Sequence, residues 1–206
     1  HFTTAEDQLL KAIEAEPDNM EAHYTLGIMY AKREDFKNAL KHLEIVENHN
    51  IEYVFLNQVR IVIGYIYALE ENYLKSKEHL IKVLDFNKEN ITALSILAYV
   101  YYKTKLFEQS IKIYQKALKT DQENANILNA IGFILIETEL NVDKGMTYVK
   151  KALRLKPNTP SYLDSLGWGY YLIGEQEKAI ETLKTAFELA PNSMEIKNHI
   201  KKILNM

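Results

Sequence analysis

Residues 160–193 read PSYLDSLGWGYYLIGEQEKAIETLKTAFELAPNS, and the spacing inside this stretch decides the fold. Counting Pro160 as place 1, the pattern is Leu163, Leu166, Gly167 and Tyr170 at places 4, 7, 8 and 11, then Ala179, Leu183, Ala186 and Pro191 at places 20, 24, 27 and 32. Two runs of helical periodicity are separated by a turn around Gly174, so the stretch predicts two amphipathic helices about three turns long. The small residues at places 8, 20 and 27 let the two helices of the pair approach closely.

Working outward, the same pattern begins again at Met20, Asn57, Ile91 and Ala125, and a first half of it at Met194, with spacings of 37, 34, 34, 35 and 34 residues. Place 8 is Gly27, Gly64, Ala98, Gly132 and Gly167; place 20 is Ala39, Ser76, Ser110, Gly145 and Ala179. Asn19, Asn90, Asn124, Thr159 and Ser193 stand just before the first helices, where a side-chain oxygen accepts from the orphan amides of a helix start. Leu56 breaks that series, and the three extra residues 54–56 predict an irregular start to the second unit. All four prolines fall outside helix interiors, Pro17, Pro157 and Pro191 after a helix end and Pro160 at a first helical position.

These residues, in register five times over, resemble the tetratricopeptide repeat. The Pro160–Ser193 unit is close to the family pattern, whereas His23 and Arg60 replace the large apolar residue expected at place 4. The resemblance implies an all-α, right-handed superhelical solenoid of antiparallel helix pairs: a half repeat at 1–19, repeats at 20–56, 57–90, 91–124, 125–159 and 160–193, and a capping helix at 194–206. It also implies a concave face, lined by the first helices, that binds a peptide or a helix of a partner protein.

Composition agrees. The 206 residues carry seven Gly, four Pro, no Cys, 47% apolar and 26% charged side chains, ample material for helices and sparse punctuation for strands. Lys+Arg 25 against Asp+Glu 28 gives a formal charge of −3, which lacks the basic footprint of a nucleic-acid binder. No apolar run approaches the roughly 20 residues of a membrane-spanning helix. Lysines outnumber arginines 22 to 3 and Asn and Ile are abundant, which points to an AT-rich, bacterial source. Absence of Cys leaves both the cytoplasm and the periplasm or envelope open as the compartment.

The ends differ from the units between them. Residues 3–16 match only a second helix, with Ala5, Leu9 and Ala12 at places 20, 24 and 27, so the chain is expected to have native sequence upstream or to self-associate through this end. At the other end Lys197 and Lys201 occupy places 4 and 8, and the segment reads as a solvated cap resting on Ile196, Ile200 and Ile203.

In the family geometry, places 2, 5, 9, 12 and 13 face the groove. Place 9 reads Ile28, Tyr65, Tyr99, Phe133 and Trp168, and place 12 adds Ala31, Ala68, Tyr102, Ile136 and Tyr171. A second aromatic row exceeds what the helix-pair core needs, and aromatics dominate binding hot spots; the competing use of these rings is packing between adjacent first helices. Polar companions at places 2 and 5 include Thr92, Ser95, Asn126, Asn129, Ser161 and Asp164. The candidate groove residues are therefore Tyr65, Tyr99, Tyr102, Asn129, Phe133, Asp164, Trp168 and Tyr171, the rings anchoring a partner and Asn129 and Asp164 orienting it. A clamp for a terminal carboxylate is not expected, because Tyr24 and Ile28 stand where the family's clamp has Lys and Asn.

No residue set reads as catalytic, and no cofactor or metal is expected. The six histidines show no metal-binding spacing: His23 reads as packed, while His42, His79 and His199 read as polar-face residues among lysines. The Asn90-Ile91-Thr92 sequon straddles a helix start and is discounted. The expected function is a non-catalytic protein-interaction module, an adaptor or scaffold. The alternatives are a chaperone for secreted or assembled subunits and the recruiting solenoid of a longer enzyme.

Overall fold

A computed structural model describes residues 2–204. Among these there are twelve α-helices and no strands. They divide into two compact units, residues 1–104 and 105–206. The first holds α1 (Phe2–Ala15), α2 (Met20–Lys32), α3 (Phe36–Glu47), α4 (Tyr53–Leu69), α5 (Tyr73–Phe86) and α6 (Ile91–Lys103). The second holds α7 (Phe107–Thr120), α8 (Ala125–Glu137), α9 (Val142–Leu155), α10 (Pro160–Leu172), α11 (Gln176–Leu189) and α12 (Met194–Leu204). Each helix packs on the next within its unit, and first helices also touch across one intervening helix, α2 with α4, α4 with α6, α8 with α10 and α10 with α12.

Small residues set the tightest contacts. A Cβ on Gly132 would lie 2.7 Å from the Gly145 carbonyl oxygen, and one on Gly145 would lie 2.8 Å from that of Gly132, so α8 and α9 cross backbone to backbone. In the α4–α5 pair the place-20 Ser76 hydroxyl donates to the place-8 Gly64 carbonyl at 2.7 Å. Gly169, which the repeat pattern leaves without a role, sits where a Cβ would meet Met146 Cγ at 2.7 Å. Within each pair the helices turn through one left-handed residue at place 15. It is Gly174 at φ 82° in the last pair, but Glu34, Glu71 and Glu139 at φ 54–60° elsewhere, a conformation that disfavours side chains with a Cβ.

The asparagine series does what its position predicts: Asn19, Asn90 and Asn124 accept from the amides of Ala22, Ala93 and Ile127. Thr159 departs, its hydroxyl donating instead to the Lys156 carbonyl. The irregular start expected at residues 54–56 is corrected. Those residues are helical, and α4 absorbs the insertion as an extra turn, starting at Tyr53 and running 17 residues. Asn57 therefore lies inside the helix, buried, its Nδ2 donating to the Tyr53 carbonyl at 2.8 Å.

Candidate functional site: the concave faces

In the first unit the first helices α2, α4 and α6 line an open groove of about 580 Å³. Its floor is apolar, made by Ile28 and Ala31 from α2, Ile61, Val62, Tyr65 and Leu69 from α4, and Ile96 from α6; Thr92, Lys32 and Glu34 supply the polar groups. Tyr65 is 49% exposed and Leu69 40%, values that leave a ring and a branched side chain standing in solvent on an apolar bed. Tyr99 and Tyr102, on α6 of the same unit, are half-buried. Ile61 and Leu69 were missed as site residues although they stand at places 5 and 13; the readable signal was apolar character at both places of one unit, where most other units carry a polar or charged group.

The second unit differs. Phe133 and Asn129 on α8 are half-buried, and the Asn129 Oδ1 is enclosed without a hydrogen-bond partner among the described residues. Asn126, at place 2, is occupied by the Tyr162 hydroxyl, which donates to its Oδ1. Trp168 is only 9% exposed. Its ring stacks on His199 of α12 at 4.6 Å between centroids and on Tyr171 at 4.9 Å, and the Lys202 ammonium lies 4.9 Å from its centre.

Asp164 is 4% exposed, and its Oδ1 lies 2.8 Å from the His199 Nδ1. Asp164 and Trp168, expected to orient and to anchor a partner, are thus both enclosed in this structure. The helix α12 covers both, because His199 offers one flat face to the indole and one nitrogen to the carboxylate. Tyr171 stays half-buried against the same cluster. Of the segment expected to cap the chain, Ile196 and Ile203 are buried, Ile200 and Lys197 half-buried, and Lys201 and Lys202 exposed. Beside it, Glu137, Glu195, Asn198, His199, Lys201 and Lys202 line a polar pocket of about 420 Å³.

The histidines are the larger surprise. His42 and His199, expected on polar faces, are buried, and the His79 side chain is 15% exposed. In the first helix pair His23, at place 4, meets His42, at place 23, with their Nδ1 atoms 2.9 Å apart. In the second pair Arg60 and His79 occupy the same two places and share one carboxylate. Arg60 Nε donates to Glu47 Oε1 at 3.0 Å, and His79 Nδ1 lies 3.4 Å from that oxygen. Burial pushes the Glu47 carboxyl up, but His79 and Arg60 outweigh it and hold the group down at about 2. In both pairs the place-11 tyrosine stacks on the place-23 imidazole, Tyr30 on His42 at 5.7 Å and Tyr67 on His79 at 5.8 Å. The two departures at place 4 are therefore matched polar seams. Their signal in the sequence was a histidine at place 23 wherever place 4 is not apolar.

Among the described residues no cluster of His, Cys, Asp or Glu has the makings of a metal site, and no helix is long and apolar enough to cross a membrane.

With the repeat geometry in place, comparison with known proteins defines the class. Two models described as tetratricopeptide repeat match residues 1–48 and residues 91–124 and 161–193. The chain belongs to the tetratricopeptide repeat family, whose members are built as protein-interaction modules. Among curated proteins it is similar to lipopolysaccharide assembly protein B of Escherichia coli K12, 22% identical over 187 residues covering 87% of this chain and 48% of that protein. The chain thus spans about half the length of that relative. Among solved structures it resembles a chain of the APC/C hetero-tetramer Cut9–Hcn1, with a TM-score of 0.83 at 15% identity, covering 98% of this chain and 39% of that one. It also resembles YrrB, described as having an unusual peptide-binding site, with a TM-score of 0.63 at 18% identity over 94% of this chain and 97% of that one. At these identities the structural likenesses establish the fold.

Proposed function

We propose that the chain is a non-catalytic scaffold that holds an apolar segment of a partner protein in the α2–α4–α6 groove of its first unit. The observation that carries this reading is the exposed Tyr65 beside Leu69 on an apolar floor of about 580 Å³. A ring with two rotatable bonds gives contact area at low entropic cost, and partly enclosed aromatics become hot spots once a ligand excludes water. The alternating apolar positions of such a segment would fill the space between Ile28 and Tyr65, with Thr92 and Lys32 meeting its polar groups. Similar proteins named as a lipopolysaccharide assembly protein and as part of the APC/C hetero-tetramer support a scaffold over a catalytic role.

The test is selection of displayed random peptides on the chain, followed by fluorescence-polarisation titration of the enriched sequences against wild type and Tyr65→Ala. The expected result is a family of apolar, aromatic-containing peptides whose affinity falls at least about tenfold in the variant, the scale of a hot-spot truncation. Enriched peptides that bind Tyr65→Ala as well as wild type would remove the groove from the reading.

A further inference from the structure

The His23–His42 seam holds a single arrangement of protons. The Pro17 carbonyl, 3.2 Å from His23 Nε2, only accepts, so that nitrogen carries the hydrogen and His23 Nδ1 is bare. His42 Nδ1–H then donates to it across 2.9 Å. Both rings are neutral in this state, and both are buried, at 5% and 9% exposure. Further protons conflict with the closed seam in two steps. The first keeps the N–H···N bond between the rings, whichever ring takes the charge, but puts a cation in a buried site near Lys41; burial, His23 and Lys41 together hold the His42 imidazole below the usual histidine range. The second sets N–H against N–H and breaks the only hydrogen bond between the rings.

The groups on the surrounding elements do not relieve the conflict. From α1, Glu6 is already taken up by the Tyr30 hydroxyl at 2.8 Å and by Arg33 at 2.5 Å. From α2, Tyr30 offers its face to His42 and its hydroxyl to Glu6. From α3, Lys41 adds repulsion, and Asp35 is engaged by Asn38 at the start of that helix. From α4, Arg60 is held by Glu47.

We propose that His23 and His42 form an acid-sensitive latch that joins α2 to α3 and, through Pro17, the turn after α1, and that protonation opens it. The neighbouring Arg60–Glu47–His79 seam does not share this response. Its central carboxylate stays ionised down to about 2 and keeps Arg60 as its charged partner. Mild acid therefore loosens the turn after α1, α2 and α3 while α4 and α5 stay joined. The window opens as pH falls below about 6.5, the ordinary histidine value, and the opening constant rises about tenfold per pH unit for each proton taken up.

The test is amide hydrogen exchange of the chain at pH 7.5 and 5.5, expressed as protection factors so that the intrinsic pH dependence cancels. Residues 16–47 are expected to lose at least about tenfold protection relative to Gln176–Leu189 of α11. The variant His23→Leu with His42→Ile places in this pair the residues found at the same places of the third repeat, Leu94 and Ile113; it is expected to abolish that difference. The same loss in the variant, or no loss in wild type, overturns the latch. A second reading needs no variant: in the imidazole proton spectrum of wild type, the His42 resonances are expected to shift together with the fall in protection. Titration of His42 while residues 16–47 keep full protection also overturns it.

Discussion

The Arg60–Glu47–His79 seam gives a prediction whose size follows from the structure. Glu47 is drawn from 4.5 to about 2 in the folded chain, and at about 1.4 kcal/mol per unit that difference amounts to roughly 3 kcal/mol of stability. Its side chain is only 14% exposed, so solvent screens little of it. The sign is that of a depressed acid: the contribution is complete above pH 4.5 and disappears as pH falls through about 2. Glu47→Gln should therefore lower the opening free energy of α3–α5 by about 2–3 kcal/mol at pH 7 and flatten its pH dependence between 4.5 and 2. Native-state hydrogen exchange reads this better than a global melt, because repeat arrays open locally. Pairing Glu47→Leu with Arg60→Leu, the residue at place 4 of the third unit, should cost less than Glu47→Leu alone, since no cation is left stranded beside an apolar neighbour. A change below about 0.5 kcal/mol in Glu47→Gln, or an acid slope unaltered from wild type, would refute the reasoning.

Two further outcomes follow from packing. Gly132→Ala puts a methyl 2.7 Å from the Gly145 carbonyl oxygen, which cannot rotate aside, whereas the methyl of Gly64→Ala is tight only on the Leu80 side chain, at 3.0 Å, and meets the Ser76 carbonyl oxygen at an ordinary 3.4 Å; thermal unfolding should show a loss of about 2–3 kcal/mol for the first and under about 1 kcal/mol for the second, where better helix propensity offsets the contact. Trp168 is the sole tryptophan and is covered by α12, so acrylamide should quench its fluorescence weakly in wild type. His199→Ala should raise the quenching constant severalfold and shift emission to the red, and equal quenching in both would contradict the stacking.

The seams also show how far residue patterns carry and where they stop. Places 8 and 20 were readable because each unit repeats the same close approach, and a small residue there is demanded by a contact within one helix pair. The asparagine caps were readable because the acceptor and the amide it serves are three residues apart. His42 and His79 were misread because lysines flank them along the chain, while the groups that bury them come from other helices. The insertion at residues 54–56 was misread for a related reason: nothing local distinguishes an irregular start from an extra turn.

What the sequence determined by itself is the period and the class of fold, since both follow from spacings shorter than one repeat; the places that can face a groove came from the family resemblance. Which of those places is open was decided by tertiary structure alone. Tyr65 and Trp168 hold the same place 9, yet one stands 49% exposed and the other 9%. The difference is made by the neighbouring first helix. Around Tyr65 the floor is aliphatic side chains that leave the ring uncovered, whereas over Trp168 the next helix brings an imidazole already hydrogen-bonded to Asp164. A stacking partner some thirty residues away in the chain thus turns a candidate anchor into core.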